Sequence, residues 1–163
     1  AGYLGWVPNK NVEMGVESMK DDTMRTVKGY QMKSTNRLTQ SLEDYLEMVY
    51  RLDRGVGFAR LGEVAQRLGV GASSASKMVQ KLGALGFVHY ERYGVIRLTA
   101  AGREAGAYLI RRHEVVRRFF QLLHPGGDTL QETELVEHCL TPATVERLEK
   151  LVQVLENNPK LLR

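Results

Sequence analysis

Three short stretches of this chain gather side chains able to hold a metal ion. Asp44 and Glu47 stand three residues apart, His113 lies within Arg111-Arg112-His113-Glu114, and Glu134, Glu137 and His138 form a Glu-x-x-Glu-His cluster. On a helix, residues three and four apart share one face. Asp44 and Glu47 therefore project side by side, and the three donors of the last cluster project from a single stripe. Each stretch by itself reads as readily as a solvated polar surface or a structural histidine. Together they supply four carboxylates and two imidazoles. Such an oxygen-rich set with some nitrogen suits Mn(II) or Fe(II) better than a thiophilic metal, and four carboxylates could bridge two cations. Cys139 is the nearest soft donor. The helical wheel turns it toward the apolar arc of Leu135, Val136 and Leu140, which predicts a buried thiol rather than a ligand.

A second group of residues suits a polyanion. Ser73, Ser74 and Ser76, followed by Lys77, Gln80 and Lys81, lie on one predicted helix, with Ala75, Met78, Val79 and Leu82 spaced to pack on its other side. Serine and lysine suit phosphate oxygens, and glutamine can read a base edge. Beyond this helix, Arg92, Tyr93 and Arg97 belong to a predicted hairpin whose tip could reach the phosphate backbone or the minor groove.

The elements that must position these groups follow from periodicity and punctuation. Ser41 is a candidate N-cap, with Asp44 at the third helical position, for a helix carrying Leu42, Tyr45, Leu46, Val49 and Leu52 inward and ending at Gly55 and Gly57. A helix over about 60–68, the break Gly69-Val70-Gly71 and a helix over about 72–85 follow. Alternation of Phe87, Val88 and Tyr90, mirrored by Val95, Ile96 and Leu98 across Arg92-Tyr93-Gly94, predicts a β-hairpin. Thr99 caps a helix over about 100–123, some 35 Å long at about 1.5 Å per residue. Pro125-Gly126-Gly127 is a loop, and helices over about 128–140 and 142–156 follow, the last started by Pro142.

Helix, helix, tight turn, helix and hairpin is the order of a winged helix-turn-helix, whose third helix enters the DNA major groove. The expected fold is mainly α: a winged helix-turn-helix with a small β-hairpin wing over residues 37–99, a long linking helix over 100–123, and an all-α metal-binding and dimerisation domain over 124–163. Residues 1–36 read as an irregular extension, with at most a short helix near Asp22–Tyr30.

Composition narrows the classes. The chain has 163 residues, 43% of them hydrophobic, and a net charge of +4. That supports a packed core and is compatible with, but does not establish, a polyanionic partner. One cysteine excludes an intrachain disulfide and a thiolate-rich zinc site, and fits a reducing cytoplasm. No stretch has the length and apolarity of a membrane span, and the N-terminal residues show no run like a secretory signal.

Leu42-Glu43-Asp44-Tyr45-Leu46-Glu47, Ser73 to Leu82, Arg112-His113-Glu114 and Glu134-Leu135-Val136-Glu137-His138, taken in order, resemble the manganese transport regulator branch of the diphtheria toxin repressor family. The resemblance covers about residues 40–156. It implies a homodimer that represses metal-uptake genes by binding palindromic operator DNA. It also implies a binuclear Mn(II) site made by Asp44, Glu47, His113, Glu134, Glu137 and His138. Iron-type members carry Met in the place of Glu47 and Cys in the place of Glu134, so the two glutamates favour manganese, with Fe(II) the alternative. Two other classes remain in view. One is a winged-helix regulator answering to an organic ligand. The other is a di-metal hydrolase, disfavoured because every donor is needed as a ligand and no separate base or phosphate-binding loop is visible.

Overall fold

The computed structural model describes residues 38–162. The predicted N-terminal extension lies outside the described residues. Helix α1 (Gln40–Val56) is capped by Thr39, whose side chain accepts a hydrogen bond from the Leu42 amide. The cap thus lies two residues before the expected Ser41, because Thr39 already has the extended backbone of a cap and Ser41 is helical. The helix ends at Gly57, whose φ of 77° places it in the left-handed region.

Helices α2 (Leu61–Arg67) and α3 (Ala72–Ala84) pack with α1 around Leu46, Val49, Val64, Ala75, Val79 and Leu82. The wing is a three-stranded antiparallel sheet in the order β1-β3-β2, comprising β1 (Ala59–Arg60), β2 (Val88–Tyr90) and β3 (Val95–Leu98). The hairpin register pairs Val88 with Leu98 and Tyr90 with Ile96, which sends Val88, Ile96 and Leu98 into the core. Strand β1, absent from the sequence expectation, pairs Ala59 with Ile96. Two residues carry no readable alternation, so only the pairing itself reveals this strand.

Thr99 caps the long helix α4 (Ala100–Leu123), accepting from the Gly102 amide while its own hydroxyl reaches the carbonyls of Gly86 and Phe87. The first half of α4 joins the winged-helix core through Leu109, with Ala105 and Tyr108 packed against it. The second half carries α5 (Leu130–Glu137) and α6 (Pro142–Asn157). Two ion pairs fasten α6 to α4 two turns apart, Arg111 to Glu149 and Arg118 to Glu156. One helix is therefore shared by the reading domain and the helical domain. Among the described residues, no helix is long and apolar enough to cross a membrane.

Helix α5 is rotated relative to expectation. Thr133 and Glu137 are buried on α4, whereas Leu135, Val136 and Cys139 are exposed. The predicted buried thiol is therefore corrected to an exposed one. The wheel assigned the apolar arc to the core, but α5 turns its polar stripe inward, where Arg112 and His113 supply partners for its carboxylates.

Candidate metal centre and DNA-reading face

The middle of α4 places Arg112 and His113 between α1 and the C-terminal end of α5. His113 Nδ1 lies 3.4 Å from Glu137 Oε1 and 3.7 Å from Glu134 Oε1. One ligand atom from each of His113, Glu134 and Glu137 falls within 4.8 Å of the others. With metal–ligand bonds of about 2.0–2.2 Å, two ligands of one ion lie at most about 4.4 Å apart, so small side-chain rotations suffice for all three to share a cation. His138, just past α5, points its Nε2 at Asp44 Oδ1 (3.3 Å) and at Glu137 Oε1 (3.8 Å), joining α1 to the same cluster. Glu47 stands apart in detail. Its carboxylate takes a hydrogen bond from Arg51 Nε at 3.0 Å, one turn along α1, while its charge is felt by His113 and Glu134.

The donor set fits a divalent cation on its own evidence. Glu137 is 1% exposed, and its Oε2 is buried with no hydrogen-bond partner. A buried, unpaired carboxylate oxygen is costly unless a charge answers it. Protons partly fill that role here. The hydrogen bond to Glu137 raises the affinity of His113 for its proton despite burial, with the charges of Glu137, Glu47 and Glu134 adding to the effect. At His138, burial opposes the imidazolium, but hydrogen bonds to Asp44 and Glu43 prevail and push its pKa up to about 9. Burial and the neighbouring Glu137 push the Glu134 carboxyl up as well. An assembly of acids that holds extra protons is one that a metal cation can take over.

Two residues outside the expected ligand set belong to this assembly. Arg112 is 2% exposed, and its guanidinium lies 2.9 Å from Glu43 Oε2 and 3.7 Å from Glu137 Oε2. Burial acts to raise the Glu43 carboxyl, but hydrogen bonds from His138 and Arg112 hold it below the usual range. A signal for this pair exists in the sequence. Arg112 shares the inward side of a helix with His113, and a buried guanidinium requires a carboxylate nearby.

The reading face is built as the spacing predicts. Ser73, Ser74, Lys77, Gln80 and Lys81 are exposed along α3 while Ala75, Val79 and Leu82 are buried. Ser76 is half-buried and takes a hydrogen bond from Gln80 Nε2 at 3.3 Å, with the Tyr90 hydroxyl 3.5 Å away on the wing. Tyr93 stands almost fully exposed at the wing tip with a φ of 62°, beside Arg92 in the same turn. Arg97 lies off the tip in β3, where its guanidinium meets Glu91 at 3.3 Å and covers the Phe58 ring.

Comparison with known proteins agrees with this layout. Residues 37–96 match the family model described as iron dependent repressor, N-terminal DNA binding domain. Residues 99–162 match the one described as iron dependent repressor, metal binding and dimerisation domain. The chain is 36% identical over 126 residues to the HTH-type transcriptional regulator MntR of Lysinibacillus sphaericus, covering 77% of this chain and 91% of that protein. It is 36% identical over 121 residues to MntR of Bacillus subtilis, covering 74% and 85% respectively. Among solved structures, the manganese regulator SloR superposes with a TM-score of 0.61 at 28% identity, over 71% of this chain and 55% of that one. The metal-dependent transcriptional regulator MtsR gives 0.62 at 26%, over 71% and 55%. The chain thus spans just over half the length of those two solved proteins.

Proposed function

The chain belongs to the iron dependent repressor family, and from that premise we propose that it is a manganese-responsive transcriptional repressor acting as a homodimer on palindromic operator DNA. The observation that carries the proposal is the meeting of donors from α1, α4 and α5 around Glu137 and His138. Asp44, Glu47, His113, Glu134, Glu137 and His138 form the ligand set, and their four carboxylates match the charge of two divalent cations. The names of the curated relatives and of SloR support manganese as the metal, in agreement with a donor set that lacks thiolate. Those relatives are regulators rather than enzymes, and the resemblance points to metal-uptake genes as targets.

The chain's own residues supply the mechanism. Asp44 and Glu47 ride on α1, part of the reading domain, while Glu134, Glu137 and His138 ride on the helical domain, with His113 between them. A bound cation supplies positive charge that these carboxylates share. Without it, the acidic groups repel and α1 is held to α5 by protonated imidazole and Arg112 alone. Tightening that junction fixes how α3 is presented. A palindromic operator demands a set separation of the two recognition helices, one DNA turn or a multiple of it. Metal therefore raises the fraction of dimers with the right geometry.

Operator binding titrated with Mn(II), Fe(II), Co(II) and Zn(II) at fixed salt tests this reading. Mn(II) is expected to raise affinity, and a Glu47→Ala, His113→Ala double variant is expected to lose the response. Metal-dependent binding that survives in the double variant refutes the mechanism.

A further inference from the structure

We propose that Glu43, fixed by the buried Arg112, is the positioning residue that sets the tautomer and orientation of His138 and so presents its Nε2 to the metal. The inference rests on the ligand set proposed above and adds two residues outside it. The imidazole of His138 has a distinct neighbour on each side. Nδ1 lies 2.8 Å from Glu43 Oε2, and Nε2 faces Asp44 Oδ1 at 3.3 Å. A neutral imidazole carries its hydrogen on one nitrogen and its lone pair on the other. With the hydrogen on Nδ1, donated to Glu43, the lone pair of Nε2 points among Asp44 and Glu137. With the hydrogen on Nε2, the ring cannot ligate from that side.

Arg112 decides between the two arrangements. Its terminal nitrogen lies 3.1 Å from Nδ1 and 2.9 Å from Glu43 Oε2. A guanidinium only donates, so bonding to Nδ1 would require the lone pair there. The shorter, charge-assisted bond to Glu43 is the stronger use of that hydrogen. It pins the carboxylate where Nδ1–H must donate to it. Arg112 is buried, and the Glu43 and His138 side chains are largely enclosed, so the three hold one geometry. A carboxylate behind a ligating imidazole raises its basicity as well as aiming it.

The test has two arms. In Zn(II)-loaded wild-type protein, nitrogen-15 spectra that correlate ring nitrogens with ring protons should place the His138 hydrogen on Nδ1. Finding it on Nε2 overturns the proposal with no mutation involved. In the second arm, Mn(II) binding followed by electron paramagnetic resonance should weaken about 10–100-fold in Glu43→Gln and Glu43→Ala. Helical content of the metal-free variants, followed by circular dichroism, should match wild type. Affinity equal to wild type in both variants overturns the positioning role. Wild-type protein that binds no Mn(II) overturns the proposed function together with it.

Discussion

Gly102 of α4 lies so close to the carbonyl of Phe87 that a Cβ on it would come within 1.9 Å of that oxygen. The same carbonyl accepts from the Thr99 amide and hydroxyl, so the start of α4 is bolted to the start of the wing. Gly102→Ala must push the helix off the wing. Overpacking of this kind costs about 1–3 kcal/mol or more, outweighing the roughly 1 kcal/mol that alanine gains in helix propensity. Gly55 in α1 has open space around it, so Gly55→Ala should instead stabilise by about 0.5–1 kcal/mol. Urea denaturation of both variants checks the contrast, and equal midpoints would show that α4 is not held as described.

Protons and metal compete for the same groups, and the sign of that competition is fixed. His138 has its pKa raised to about 9 and His113 has its pKa raised as well. A histidine with a raised pKa stabilises the fold fully below its unfolded value near 6.5 and loses that contribution as pH rises through its folded value. The metal-free protein should therefore lose urea resistance between about pH 7 and pH 9. Mn(II) binding at neutral pH should release protons and tighten as pH approaches 9. Calorimetry in buffers of different ionisation enthalpy measures the release directly. Binding heat that is independent of the buffer would contradict it.

The division between legible and illegible features has a physical basis. Helices α1, α3 and α4 could be read because each carries a long apolar stripe of helical period with a hydroxyl cap or a glycine at its ends. The wing hairpin could be read from its alternation around Tyr93-Gly94. Helix α5 could not be oriented, because its two faces offer similar apolar content and partners on α4 decide which is buried. Glu137 is fully buried while Leu135 is two-thirds exposed, the reverse of what hydropathy alone selects. The Glu43–Arg112 pair joins residues far apart in sequence, so its significance appears only once α1 and α4 lie side by side.

On α3, charge and recognition should separate experimentally. Lys77 and Lys81 are exposed without a carboxylate partner in the structure described, and suit phosphate contact. Replacing either by alanine should weaken binding about equally on all sequences and lower the salt dependence by about one unit of log–log slope. Gln80 is oriented by Ser76 and suits a base edge. Gln80→Ala should relax specificity at one position per half-site by about 1–3 kcal/mol. Affinity measured against an operator substitution series at several salt concentrations separates the two behaviours.

Self-association should depend on apolar side chains that the folded monomer leaves outside. Leu151 and Val154 of α6 are 46% and 50% exposed, and Leu135 of α5 is 67% exposed, within the region that matches a dimerisation domain. Val145 and Val152, the buried residues of α6, already anchor it on its own subunit, so the exposed side chains are free to meet a second copy. Burying a side chain of this size contributes about 1.5–3 kcal/mol, which corresponds to at least about tenfold in a dissociation constant. Leu151→Glu with Val154→Glu should therefore weaken the dimer by at least about a hundredfold, at unchanged helical content. The metal centre draws all its ligands from one chain, so Mn(II) binding should persist in the monomer. Operator affinity should fall, because a single reading head engages only one half-site. Analytical ultracentrifugation beside Mn(II) and operator titrations distinguishes this from unfolding, and a double variant that remains dimeric at micromolar concentration would place the interface on another surface.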